Sequence, residues 1–136
     1  MMRIPNIPTA GLVAVLLCAT GSRLTAQQAE VTPLMTKELA DIPGKEALMI
    51  TVVYPPGGAD PVHRHNAHGF IYVLEGSVVM QVKGGKPVTL TAGQTFYEGP
   101  DDIHVVGRSA SSTKPAKLLV LLLKNKGAPA LVPVTR

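Results

Sequence analysis

This chain of 136 residues is poor in cysteine, in aromatics and in charge of either sign. It has one cysteine, Cys18, which excludes an intrachain disulfide framework and a zinc site built on several thiolates. It has no tryptophan and only 4% aromatic residues. Charged residues are 16%, giving a formal net charge of +4, and two of the positive charges are Arg3 and Arg23 near the N-terminus. Setting those aside leaves 11 basic residues against 9 acidic ones, with no Lys/Arg cluster to neutralise a row of phosphates. A nucleic-acid partner is therefore not expected. No stretch beyond residue 26 places apolar residues at helical spacing over three turns, so a helical domain is not expected either.

Residues 1–26 are different in kind from the rest. Arg3 precedes a short apolar run from Gly11 to Thr20, and Leu24-Thr25-Ala26 places a small residue before polar Gln27-Gln28. This is the layout of a secretory signal peptide. The run is shorter than the roughly 20 residues a membrane span needs. Cleavage after Ala26 is expected, which places the mature chain in the periplasm or outside the cell with no stable membrane span after processing. It would remove Cys18 and leave 110 residues without cysteine, indifferent to an oxidising compartment.

Strand signals dominate from residue 47 onward, after an irregular arm expected over 27–46. Residues 47–54 (ALMITVVY) are rich in β-branched side chains and end at Pro55-Pro56-Gly57-Gly58. Phe70 to Leu74 is a second run, and Ser77 to Lys83 a third in which Val78, Met80 and Val82 share one face. Lys83-Gly84-Gly85-Lys86 reads as a hairpin turn. Further strands are expected near 88–91, 95–97, 104–108 and 117–123, and an extended tail over 125–136. Short strands with regular turn signals indicate an all-β sandwich or barrel. The runs 47–54 and 118–123 are apolar on both faces, which predicts burial of the outer face and suggests a homodimer.

The chemistry lies in four histidines, His63, His65, His68 and His104. His63 and His65 are two apart, so an extended strand presents both rings on one face. Neutral imidazole suits iron, nickel, copper and zinc, and a mixed imidazole–carboxylate set also admits manganese.

The spacing of these residues resembles the cupin family. Gly57, His63, His65 and the run Tyr72-Val73-Leu74-Glu75-Gly76 are similar to its first motif, and Gly93 followed by His104 eleven positions on is similar to its second. Positions six and eight after Gly93, where the family usually has proline and glycine, are Gly99 and Asp101. The resemblance covers roughly residues 47–124 and implies a jelly-roll β-barrel with one divalent metal, iron as first choice and manganese, nickel, zinc or copper as others. It implies ligands at His63, His65 and His104. The family's usual glutamate ligand falls on Gly69, so either the three histidines alone hold the metal or His68 next to it is the fourth ligand, swung in by a bulge or the turn at Asn66-Ala67.

Lesser candidates carry structural readings. Glu75 is read as a turn residue, Asp101-Asp102 as loop caps and Arg64 as an outer-face residue. Tyr72 and Phe70 are read as core or interface. Tyr97 and Glu98 stand between Gly93 and His104, so one of them is expected to face the barrel; Glu98 itself is read as a surface salt-bridge residue, with proton transfer as its alternative. The expected function is metal-dependent chemistry on a small molecule, foremost a dioxygenase-like oxidation. The alternatives are a metal-dependent isomerase or lyase, and a non-catalytic ligand- or metal-binding module of the periplasm.

Overall fold

The computed structural model describes residues 27–135. The export signal expected over 1–26 lies outside them. Ten strands follow in order: β1 (Glu30–Glu38), β2 (Lys45–Tyr54), β3 (His63–Arg64), β4 (His68–Glu75), β5 (Ser77–Val82), β6 (Val88–Thr91), β7 (Thr95–Glu98), β8 (His104–Ser109), β9 (Ala116–Asn125) and β10 (Val132–Pro133). Among the described residues there is no helix, hence none long and apolar enough to cross a membrane. The strands form two five-stranded sheets, ordered β1-β2-β9-β4-β7 and β10-β3-β8-β5-β6, with every strand pair antiparallel. This is the all-β, jelly-roll architecture expected from the strand pattern and the resemblance.

The core follows from the period of two along each strand. In β9, Ala116, Leu118, Val120 and Leu122 alternate inward. They stand in register with β2, where Val120 faces Ile50 and Leu118 faces Val52. Ile71 and Val73 of β4 and Val78 and Met80 of β5 complete the buried layer. Burying each such side chain contributes roughly 1.5–3 kcal/mol. Lys124 continues the inward alternation of β9 past the apolar set. Its ammonium is paired with Glu46 and donates to Ala128 O at 2.6 Å, which satisfies the buried charge and ties the C-terminal segment to β2.

One element departs from the sequence expectation, and two others refine it. Residues 30–38, expected as part of an irregular arm, form β1, which pairs with β2 along residues 46–53. Its residues are all exposed, so backbone hydrogen bonds rather than burial make it a strand, and no alternation was there to read. Pro33 is tolerated because β1 is an edge strand and the register shifts between Pro33 and Met35. The outer face of the first sheet is apolar but uncovered by the described residues. Phe70, Tyr72 and Tyr97 are 47%, 44% and 50% exposed beside half-buried Leu119 and Leu121, so Phe70 and Tyr72 are not core residues. Finally, the expected extended tail is partly a strand. β10 pairs with β3 and covers the edge of the second sheet.

Candidate metal centre

The inner faces of the two sheets enclose a cavity of about 90 Å³. Ile50, Val52, Ile71, Met80, Leu118 and Val120 supply its apolar wall, and His63, His65, His104 and Glu98 its polar end. Two separate pieces of chain bring the histidines together. His63 sits on β3 and pairs directly with His104 at the start of β8. His65 follows β3 by one residue, on the same side as His63, with exposed Arg64 pointing away as expected. One ligand atom from each of the three rings lies within 4.8 Å of the others. His63 is 2% exposed and His104 4%.

The hydrogen bonds decide which nitrogens are available. His63 Nδ1 stands 2.8 Å from Pro61 O, and His65 Nδ1 stands 2.5 Å from Ala130 O. A carbonyl oxygen only accepts, so each Nδ1 donates, and in the neutral rings both Nε2 atoms carry lone pairs. Those two Nε2 atoms face each other at 3.2 Å. Two acceptors at that distance repel unless a cation stands between them. This donor set fits a divalent metal ion, and the outer carbonyls orient the rings as such partners do in metal sites. Burial, reinforced by the positive charge His65 and His104 would carry, lowers the pKa of His63 below its ordinary value and keeps the lone pair free.

Of Tyr97 and Glu98, Glu98 is the one that faces the barrel, and its reading as a surface salt-bridge residue fails. It is 3% exposed, not a surface residue. Its Oε2 lies 3.3 Å from His65 Nε2 and its Oε1 2.8 Å from His104 Nδ1. The second contact is an ion pair, while Glu98 Oε1 and His104 Nε2 are buried without geometric hydrogen-bond partners. Burial works to raise the Glu98 pKa, but the contact with His104 outweighs it and holds the carboxyl below its ordinary range. Burial likewise works against His104 charging, and Glu98 overcomes it, so His104 is shifted upward. A signal for Glu98 was present in the sequence. In the short run Thr95-Phe96-Tyr97-Glu98, the half-buried Phe96 and Glu98 share one parity, opposite to exposed Tyr97.

His68 is not brought to the cluster. β4 runs regularly from His68 to Val73, so Gly69, Ile71 and Val73 face inward while His68, Phe70 and Tyr72 face out. The chain does turn at Asn66, which has φ +50°, but the turn does not swing the ring inward, and His68 Nδ1 is 2.8 Å from the Tyr97 hydroxyl on the outer face. Asp102 caps its loop, accepting from Gly99 N at 2.6 Å, while Glu75 and Asp101 are exposed.

Two further features shape the site. Tyr54 is buried beside it and donates to Asp60; burial first, and the Asp60 charge second, push its phenol well above the ordinary range. Gly107 lets the His104 ring and the Tyr54 hydroxyl approach the β8 backbone. A Cβ there would fall 2.9 Å from both His104 Cε1 and the Tyr54 oxygen.

Comparison with known proteins agrees with this architecture. No curated protein matches the sequence. Among solved structures, TT1209 from Thermus thermophilus is 26% identical with a TM-score of 0.58, over 76% of this chain and 90% of that one. A recombinant oxalate oxidase in complex with glycolate is 24% identical with a TM-score of 0.60, over 77% of this chain and 54% of that one. The DMSP lyase DddQ from Ruegeria pomeroyi is 24% identical with a TM-score of 0.57, over 65% of this chain and 43% of that one. This chain thus spans about half or less of the oxidase and lyase chains. The Cupin domain family profile matches residues 50–122, which include all three clustered histidines and more than half of the chain, and the protein belongs to that family.

Proposed function

We propose that this cupin is a metal-dependent enzyme acting on a small molecule, with a dioxygen-dependent oxidation as its reaction. The observation that carries the metal is the pair of His63 and His65 lone pairs facing each other at 3.2 Å in a buried pocket. His63, His65 and His104 would hold the ion, which supplies Lewis acidity and, if it is iron or manganese, redox chemistry. The apolar wall limits water around the bound molecule, and the cavity volume restricts it to a few non-hydrogen atoms. Oxalate oxidase, a fold neighbour, acts on a molecule of that size, which supports the oxidation.

A second reading is a non-catalytic binding module. It is favoured by the C-terminal tail, because Ala130 and Leu131 line the same cavity and Ala130 O holds His65. The experiment that separates them starts from protein recovered without chelator from the periplasm or medium. N-terminal sequencing, expected to begin at Gln27, checks the export reading in the same sample. Metal analysis is expected to find near-stoichiometric iron or manganese in the wild type and little in His104→Ala. Dioxygen uptake with small carboxylic acids is expected of an enzyme and lost in that variant. A loaded protein that binds such acids and leaves them unchanged would establish the module instead.

We also propose that the uncovered apolar face formed by Phe70, Tyr72, Tyr97, Leu119 and Leu121 joins two copies of the chain. Charged residues are absent from this patch, as at the centre of stable homodimer interfaces. Sedimentation equilibrium is expected to give the dimer mass in the wild type and the monomer mass in Tyr72→Glu. A wild-type monomer at micromolar concentration would remove the proposal.

A further inference from the structure

Glu98 and Gly69 face each other across β4 and β7, as register partners on neighbouring strands. Position 69 points inward, and Gly69 has no side chain to offer. A Cβ built there would lie 3.6 Å from Glu98 Cβ and 3.4 Å from Leu122 Cδ2, ordinary contact distances. A side chain at 69 and the side chain of 98 therefore enter the same space from adjacent strands. In this chain only Glu98 enters it.

The carboxylate it brings stands between two of the ligand rings, those of His65 and His104. Oε2 is 3.3 Å from His65 Nε2, whose proton is committed to the other nitrogen by Ala130 O. Oε1 is 2.8 Å from His104 Nδ1 but is buried without a hydrogen bond. A carboxylate that is 97% out of solvent and aimed at a lone pair calls for a cation at that point.

We propose that Glu98 is the fourth, anionic ligand of the metal centre, delivered from β7 in place of a side chain at Gly69 on β4. The proposal rests on the metal reading of the three histidines. Its consequence is chemical. With three neutral imidazoles alone, a divalent ion would keep its full charge; with Glu98 the centre has net charge +1 and a mixed nitrogen–oxygen donor set. That set admits manganese and iron as readily as the softer ions, and it weakens the pull on an anionic substrate.

The test is cobalt(II) binding by the folded mature protein, read by calorimetry and by the visible d–d absorption bands. Wild type is expected to bind one equivalent. Glu98→Gln, with an unchanged far-ultraviolet dichroism spectrum, is expected to bind at least about 10-fold more weakly and with altered bands. The double variant Gly69→Glu/Glu98→Ala is expected to recover most of the affinity, since each position reaches the same space. Unchanged affinity in Glu98→Gln overturns the proposal and leaves the three-histidine site standing. Weaker affinity with unchanged bands also overturns it, because Glu98 would then only orient His65 or His104. A folded double variant as weak as Glu98→Gln overturns the exchange of position 69 for 98. A wild type that takes up neither cobalt, manganese nor iron overturns the metal reading itself.

Discussion

Gly76→Ala is expected to lower the melting temperature by about 10 °C or more. Gly76 joins β4 to β5 with φ +72°, and a Cβ there would fall 2.5 Å from Pro115 O and 3.0 Å from Ala116 Cα. Both obstacles are backbone atoms, and Ala116 is itself buried at the start of β9, so neither can move aside without disturbing the sheet. Left-handed strain on a non-glycine residue costs about 1–3 kcal/mol and forced overpacking a further 1–3 kcal/mol. Gly84→Ala separates the two contributions. Gly84 has φ +85° but nothing within 4 Å of a built Cβ, so only the conformational strain applies. Thermal denaturation of the two variants is expected to show Gly76→Ala losing at least twice as much stability. Equal losses would mean that the contact with Pro115 relaxes freely.

The largest effect on function is expected from His63→Ala. His63 is central to the cluster, with ring centroids 4.8 Å from His65 and 4.9 Å from His104, and its Nε2 faces that of His65. Loss of an outer hydrogen-bond partner in a metal site typically weakens binding 10–100-fold, and loss of a ligand is expected to exceed about 100-fold. A second readout follows from linkage. Metal at 100 times its dissociation constant stabilises the fold by about 2.7 kcal/mol, so the wild type should melt several degrees higher with metal than with chelator. His63→Ala should show no such difference. His68→Ala is the control, because its ring is on the outer face against Tyr97, and it should bind metal as the wild type does. A His63→Ala protein that keeps wild-type affinity would remove His63 from the site.

The strands and the histidine pair were legible because both are local. Ala47 to Tyr54 and Lys117 to Leu123 carry the residue types that favour extended chain, and the spacing of His63 and His65 puts two rings on one side whatever the strand pairs with. The glycine punctuation at Gly76 and Gly84 was legible for the same reason, since positive φ is a property of a single residue. β1 was not legible. Its residues bury nothing, so no hydropathy pattern marks it, and only the presence of β2 beside it supplies its hydrogen bonds.

What the amino-acid order determined by itself was therefore the strand content, the turns, and the parity that sets His63 and His65 together and turns His68 away once β4 runs straight. The tertiary structure alone decided which distant groups meet them. His104 comes beside His63 through the β3–β8 pairing, Ala130 O reaches His65 from the C-terminal tail, and Glu98 faces Gly69 through the β4–β7 register. Each is a cross-strand or cross-sheet relation between residues many positions apart. Hydrogen-bond register and sheet order set such relations, and neither is encoded in the side-chain period of any one strand.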